Sequence, residues 1–211
     1  FGYKYPLPIY IGCSGPRLLR LAGEIADGVM LSSNFGAHPA MLKWKLEQIE
    51  KGAIKAGRDP SKIDVWVRAM IYVTESNSKK SKERALREVA GYVMNSSRST
   101  ITSLQAKDPE LTELIERLDK EAPGLLEECQ RVHDAWDPRW HEHWEAPAAR
   151  FVTMKSVNAF HMVGTPEEIC EKIYKVQQLG VRTVATVTYS LTDKKGMLRE
   201  IGDRIMPHFR N

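Results

Sequence analysis

The sequence predicts an α/β fold in which parallel strands alternate with helices. Short apolar runs of strand character recur at 8–13, 29–33, 64–74 and 181–190, and segments with helical spacing of apolar residues lie between them. The third run is apolar on both faces except at Arg68, as is usual for a parallel sheet covered by helices. Because parallel strands need crossover helices, this order indicates consecutive βα units.

Composition and charge narrow the class of protein. The chain has 211 residues and is 42% hydrophobic, which is enough for a sizeable core. Its net charge is +4. Charges of both signs are interspersed, so we expect neither a nucleic-acid nor a membrane partner. Three cysteines in no metal-like spacing favour a reducing cytoplasm. We see no signal peptide and no apolar run near the length of a membrane span.

The first strand and helix are joined by a glycine-rich turn. PIYIGC at 8–13 predicts a buried strand, and Gly15 and Pro16 then begin a helix over 16–26. Proline suits the first turn of a helix, where its missing N–H is no loss. Asp27-Gly28 ends this helix, and VMLSS at 29–33 is the second strand.

The later segments predict further helices and one irregular stretch. Apolar spacing and turn residues place helices at 39–57, 79–97, 109–122, 124–136 and 193–209. The periodicity loosens between 98 and 150, which indicates a helical insertion. Thr165, Pro166 and Glu168 then begin a helix with a capping box, and Gly180 ends it. Four such units make a small open sheet or half of an eight-stranded barrel, since a complete barrel takes about 250 residues.

Two segments resemble the bacterial luciferase-like superfamily. PIYIGCSGPRLLRLAGEIADGVMLSS at 8–33 is similar to that family's fifth through sixth strands, and FVTMKSVNAFHMVGTPEEICEKIYKVQQLGV at 151–181 to the approach to its last strand. Members are (βα)8 barrels that use FMN or coenzyme F420. The resemblance implies an oxidoreductase that exchanges hydride or electrons between a reduced cofactor and a small organic substrate; with FMN, it includes a monooxygenase reaction.

The same resemblance implies an incomplete barrel. Residues 1–211 correspond to a single domain, the C-terminal half of the barrel, with the insertion at 98–150, and the family's first four strands have no counterpart. We therefore expect a homo-oligomer, a partner chain that carries the first half, or a trimmed piece of a longer chain. The alternative function is a non-catalytic half-barrel subunit that completes a partner.

The resemblance also implies a cofactor site at the glycine-rich turn. Gly12, Cys13, Ser14 and Gly15 match the family positions that contact the cofactor phosphate. Considered without the family, the same residues are consistent with a plain Gly-Pro turn. Ser32, Ser33 and Asn34 end the second strand, where they either contact a ligand or form a polar strand end.

Three further features have both functional and structural interpretations. Arg68 binds an anionic substrate group or forms a structural ion pair, because an isolated buried charge is costly. Family members carry an Asp-aromatic-His stretch before the Gly-Thr-Pro motif, so the pocket mouth is expected to include Asp134, Trp136, Asp137 and His141, with His141 as a proton carrier. The alternative is a surface insertion whose tryptophans pack on the barrel rim. His141 and His143 lie two residues apart, which does not favour a metal site, and His161 is expected to be a core histidine.

Overall fold

The computed structural model describes residues 7–31, 38–105, 109–140, 145–186 and 192–210. The strands are β1 (Tyr10–Cys13), β2 (Gly28–Leu31), β3 (Asp64–Arg68), β4 (Ile71–Val73), β5 (Met162–Gly164) and β6 (Thr183–Ala185). The helices are α1 (Pro16–Ile25), α2 (Pro39–Lys55), α3 (Lys79–Leu104), α4 (Glu110–Glu121), α5 (Leu125–Asp134), α6 (Met154–Phe160), α7 (Pro166–Gln178) and α8 (Lys194–Arg204).

The main sheet has four parallel strands in the order β1-β2-β3-β6. Its register aligns Tyr10 with Gly28 and Asp64 at one end, and Cys13 with Leu31 and Val67 at the other. The predicted α/β class with parallel βα units is therefore confirmed. Because all four strands run the same way, their carboxyl ends lie along one edge of the sheet.

The third predicted strand, 64–74, is divided in the structure. It forms β3 and β4, and β4 leaves the main sheet to pair in parallel with β5. The expectation of about four strands is therefore wrong, since the described residues contain six. Two features of β5 explain the omission: it has three residues, too few for a periodic pattern, and its partner Ile71 lies far away in sequence from Met162.

Two helix boundaries also differ from the prediction. The helix predicted at 79–97 continues to Leu104, so the start of the irregular stretch at 98 lies within α3. The closing helix predicted at 193–209 ends at Arg204, and a 3-10 turn follows at Met206–His208. Pro207 explains this end, because proline has no N–H to donate to the carbonyl four residues earlier and its ring clashes with that carbonyl. None of the described helices is long and apolar enough to cross a membrane.

Helices cover one face of the main sheet. The side chains of Val29, Leu31, Val65 and Val67 on that face are almost fully buried. Helices α1 and α2 approach each other closely there, since a Cβ added to Gly52 would clash with the backbone carbonyl of Arg20. Glycine at this crossing therefore lets the two helices pack against each other at backbone distance.

The opposite face of the sheet is largely uncovered by the described residues. Tyr10 and Met30 on this face are 39% and 38% exposed, and Trp66 and Arg68 are only partly buried. Parallel sheets normally bury both faces. The main sheet differs, because helices cover one of its faces and the described residues leave the other face open.

Candidate functional site

The turn after β1 leaves the start of α1 without a side-chain cap. Gly15 is the N-cap residue in an extended conformation, and no side chain accepts a hydrogen bond there. Pro16 has no N–H, and the amide of Leu19 already donates to the carbonyl of Gly15 at 2.9 Å. The amides of Arg17 and Leu18 have no partner within the helix, because the first turn of any helix lacks acceptors. This arrangement suits an anion.

The space beside this turn is open. A Cβ added to Gly15 would meet no atom within 4 Å, and one added to Gly12 would contact only the Cε of Met30 at 3.6 Å. Neither glycine is required by a positive φ angle. The two glycines thus leave room along the backbone, and Ser14, which is partly exposed between them, adds a hydroxyl.

Cys13 contributes its backbone rather than its side chain. The thiol is buried on the helix-covered face, with 5% exposure. Burial raises the pKa of Cys13 to about 11, against the opposing effect of the nearby Lys45 ammonium. The thiol is therefore protonated at neutral pH, and a thiolate nucleophile is not available there.

Lys45 of α2 lies behind the same turn and was not singled out in the sequence. Its side chain is 1% exposed, and burial lowers the pKa of Lys45 to about 8, with Cys13 acting in the opposite direction. Lysine on a helix is usually solvated, so its residue type did not mark Lys45 as buried in the sequence.

Helix α3 contacts the carboxyl end of β3 and the segment before α8. Nη2 of Arg68, the last residue of β3, donates a hydrogen bond of 2.9 Å to the hydroxyl of Tyr92. One turn earlier in α3, Glu88 accepts a hydrogen bond of 2.8 Å from the hydroxyl of Thr192, which follows β6. The first contact connects α3 to the sheet edge that carries the glycine-rich turn, and the second connects the same helix face to the segment before α8.

His161 supports this helix from below as a neutral side chain. Its Nδ1 accepts a hydrogen bond of 3.4 Å from the Met70 amide, and its Nε2 lies 3.5 Å from the hydroxyl of Ser96. Burial, with Arg68 and Lys172 nearby, lowers the pKa of His161 to about 3. The imidazole also packs edge-on against the ring of Tyr92 at 5.7 Å. His161 is a buried structural histidine, as expected.

The sequence and fold comparisons agree with this geometry. A profile described as luciferase-like monooxygenase matches residues 3–183. The chain belongs to this family. The 5,10-methylenetetrahydromethanopterin reductase of Archaeoglobus fulgidus is 27% identical over 205 residues, covering 97% of this chain and 55% of that protein. An F420-dependent glucose-6-phosphate dehydrogenase of Nakamurella multipartita is 45% identical over 60 residues, which cover 28% of this chain and 17% of that protein.

Solved structures of luciferase-like proteins share the fold. The coenzyme F420-dependent tetrahydromethanopterin reductase from Methanopyrus kandleri superposes with a TM-score of 0.67 at 24% identity, covering 97% of this chain and 51% of that one. An F420-dependent secondary alcohol dehydrogenase in complex with an F420-acetone adduct gives 0.65 at 19% identity, covering 99% and 50%. The chain thus spans about half the length of the curated relatives it matches.

The other predicted site residues of this luciferase-like chain are distributed unevenly. Ser32, Ser33, Asn34 and His141 lie outside the described residues. Asp134 is exposed and bonds to its neighbours in sequence, Gln130 at 2.7 Å and His133 at 3.1 Å. The guanidinium of Arg98 in α3 stacks on the ring of Trp136 at 4.0 Å. Asp134 therefore ends α5 and Trp136 lies against α3, and their described contacts do not include the glycine-rich turn.

The described contacts of Arg68 differ from the expected ion pair. Its hydrogen-bond partner within the described ranges is a neutral tyrosine hydroxyl rather than a carboxylate. Tyr92, the residue that holds Arg68, was missed in the sequence, where it occurs as an ordinary aromatic residue in a helical stretch. One sequence feature could have drawn attention to Tyr92: it lies four residues after Glu88, so the two polar groups share one face of the helix.

Proposed function

We propose that this chain forms part of an oxidoreductase that exchanges hydride or electrons between a reduced flavin or deazaflavin and a small organic substrate. The observation that carries the proposal is the open, uncapped start of α1 at the carboxyl edge of a parallel sheet. Ligand sites of such folds lie at that edge. The enzyme proposal is also supported by the F420-dependent relatives.

The proposed phosphate site consists of Gly12, Cys13, Ser14 and Gly15. FMN and coenzyme F420 both carry a phosphate on their side chain, and backbone amides at a helix start bind such a group. The glycines leave space for close approach, Cys13 supplies its backbone and Ser14 adds its hydroxyl. Of the two cofactors, F420 is favoured because the similar proteins include F420-dependent enzymes. When bound, the ring system supplies the hydride or electron chemistry, and the protein binds and orients it.

The proposed architecture is the C-terminal half of a (βα)8 barrel, in a single domain over 1–211 with a helical insertion at 98–150. The open face of the main sheet supports it, because the residues that face a barrel interior are the exposed ones here. A partner chain with the first half, or a second copy in a homo-oligomer, would cover this face. The same open face favours the alternative function, a non-catalytic subunit that completes a partner. Size-exclusion chromatography with light scattering tests the assembly, and a stable monomer contradicts it.

We further propose that the substrate pocket includes the carboxyl ends of β2 and β3 and the insertion, in a cytoplasmic protein that binds neither nucleic acid nor membrane. The candidate residues remain Ser32, Ser33, Asn34, Arg68, Asp134, Trp136 and His141. Of these, Arg68 has the strongest support, because its guanidinium lies at the sheet edge beside α3.

A fluorescence titration of the protein with F420, FMN and riboflavin tests the proposed function. We expect saturable binding of one phosphate-bearing cofactor, and at least tenfold weaker binding of riboflavin if FMN is the ligand. Gly15→Asp places a carboxylate in the phosphate space and is expected to abolish binding. The matched control is Gly202→Asp in α8, where an added Cβ also meets no atom within 4 Å. Equal binding by the two variants, or no binding to wild type of either cofactor, contradicts the proposed phosphate site.

A further inference from the structure

Arg68 presents a cation at the carboxyl edge of the sheet, on its open face. The residue lies on the same side of β3 as Trp66, opposite to the buried Val65 and Val67. It is partly buried, and its Nη2 is oriented by the hydroxyl of Tyr92 at 2.9 Å. A guanidinium has five N–H donors in a planar fork, so most of its donors are not used by this contact.

Three other arginines of the described chain are each paired with a carboxylate, whereas Arg58 and Arg182 donate to backbone carbonyls. Arg117 bonds to Glu47 at 3.2 Å, Arg139 to Asp137 at 2.6 Å and Arg204 to Glu200 at 3.0 Å. Arg68 differs from these three, because its described hydrogen-bond partner is the neutral hydroxyl of Tyr92. A partly desolvated charge with a neutral partner gains much more from an incoming anion than a charge already paired.

Two titratable side chains lie near Tyr92, and neither is a described hydrogen-bond or ion-pair partner of Arg68 at neutral pH. His161 lies beneath Tyr92 and is uncharged, since its Nδ1 accepts the Met70 amide and its pKa is far below neutrality. Glu88, the nearest carboxylate along α3, accepts a hydrogen bond from Thr192. Tyr92 thus holds Arg68 in place, and no carboxylate is among the hydrogen-bond or ion-pair partners described for Arg68.

We propose that Arg68, positioned by Tyr92, binds a carboxylate or phosphate group of the substrate, which rests on the oxidoreductase function proposed above. The substrate is accordingly a small organic acid or phosphate ester rather than a neutral compound. The planar fork matches two oxygens of either group, and a lysine would not reproduce that geometry.

The spacing separates this position from the cofactor phosphate. Cys13 aligns with Leu31 and Val67, so Arg68 lies level with Ser14, two strands away. Neighbouring strands are about 4.8 Å apart, which gives a lateral distance of roughly 10 Å. Two anionic groups are therefore accommodated at once, one at the glycine-rich turn and one at Arg68.

The test follows the Nε–Hε NMR resonance of Arg68 in the full protein, identified by its loss in Arg68→Met. Inorganic phosphate and acetate are added in turn, with and without saturating F420. We expect both ions to shift this resonance saturably whether or not F420 is present. Loss of a charge-assisted contact in Arg68→Met is expected to weaken phosphate binding, measured by calorimetry with F420 present, by roughly 10- to 100-fold. Arg87→Met, which removes an exposed arginine from α3, is the matched control and should leave it unchanged.

Two further variants separate binding from a structural role. Arg68→Lys keeps the charge without the fork and should recover binding only in part. Tyr92→Phe keeps the packing on His161 and releases the guanidinium, so phosphate binding should weaken several-fold while the unfolding midpoint moves little. The proposal is overturned if neither ion shifts the Arg68 resonance. It is also overturned if saturating F420 prevents the shift, because Arg68 then binds an anionic group of the cofactor. If neither F420 nor FMN binds, the proposed function fails. The response of Arg68 to phosphate is measured without cofactor as well, so the anion site is tested separately.

Discussion

The hydroxyl of Tyr10 donates a hydrogen bond of 2.7 Å to Oδ2 of Asp64, and the tyrosine ring passes over Gly28 to reach it. The three residues form one row of the sheet register, so the contact spans from β1 across β2 to β3. The indole N–H of Trp66 donates to the same carboxylate oxygen at 2.6 Å, and the two rings are 5.3 Å apart. An aromatic bridge thus links three strands on the open face.

This bridge predicts the effect of filling the space over Gly28. A Cβ in Gly28→Ala would clash with the ring of Tyr10 and displace it, which removes both the hydrogen bond and the aromatic contact. We expect a loss of about 1–2 kcal/mol in the free energy of unfolding, measured with urea. Tyr10→Phe removes only the hydroxyl and should cost about 1 kcal/mol or less. If Gly28→Ala costs as little in wild type as it does in a Tyr10→Ala background, the bridge does not stabilise the sheet.

A second prediction concerns the crossing of α1 and α2. Gly52→Ala brings a methyl group against the backbone carbonyl of Arg20, which a side-chain rotation does not relieve. The two helices must therefore separate, at a cost of about 3 kcal/mol in stability. Gly202→Ala in α8 is the control, since an added Cβ there meets no atom within 4 Å and alanine favours a helix by about 1 kcal/mol. Thermal unfolding should move in opposite directions for the two variants; a shared direction contradicts the prediction.

Lys45 predicts an alkaline change in stability. Burial lowers the pKa of Lys45 to about 8 from the ordinary lysine value of 10.5, so between these pH values the unfolded chain binds more protons and stability rises with pH. Lys45→Met removes the buried charge, and at pH 7 we expect it to be more stable than wild type by about 1–3 kcal/mol. The advantage should shrink as the pH rises through 8 to 10. The exposed Lys43→Met should show neither effect in urea denaturation across this range. A pH-independent advantage for Lys45→Met would show that Lys45 is not buried as a cation.

His161 predicts the corresponding change in acid. Its pKa in the folded protein is lowered to about 3, whereas the unfolded side chain binds a proton near the ordinary histidine pKa of 6.5. Stability is therefore lost as the pH falls from 6.5 towards 3, by up to about 1.4 kcal/mol per pH unit. His161→Gln should flatten this dependence between pH 5 and 6.5, where most carboxylates are already ionised. His208→Gln, at an exposed position, is the control and should retain the wild-type slope.

Local chemistry explains what the sequence predicted well. Thr165 and Glu168 form the expected reciprocal capping box, with the Thr165 amide donating to the carboxylate at 3.0 Å. Pro16 occupies the first turn of α1, and Asp27 follows the end of α1 while Gly28 begins β2. Each of these features depends on residues within one turn of each other, so a short stretch of sequence contains all the information.

Contacts between distant segments were beyond such patterns. The pairing of β4 with β5 joins Ile71 to Met162, and the bond between Arg68 and Tyr92 joins a strand to a helix. In both cases the residue type is ordinary for its element, and only the tertiary fold brings the partners together. The burial of Lys45 is similar, because a lysine on an amphipathic helix is usually solvated. The sequence therefore indicated the fold class and the glycine-rich turn, whereas the charges around the site emerged from packing.

The pairing of β4 with β5 also matters for how such a chain can diversify. Val73 aligns with Gly164, and the Thr74 amide donates to the Gly164 carbonyl at 2.8 Å, so the chain leaves and re-enters the α/β unit at neighbouring points. Whatever lies between these points closes a loop whose ends are fixed in advance, and loop-closure entropy grows only slowly with length. The helices between β4 and β5 can therefore be exchanged, in evolution or by design, while the strands of the sheet keep their register. Such an exchange would also change the part of α3 that contacts the sheet edge.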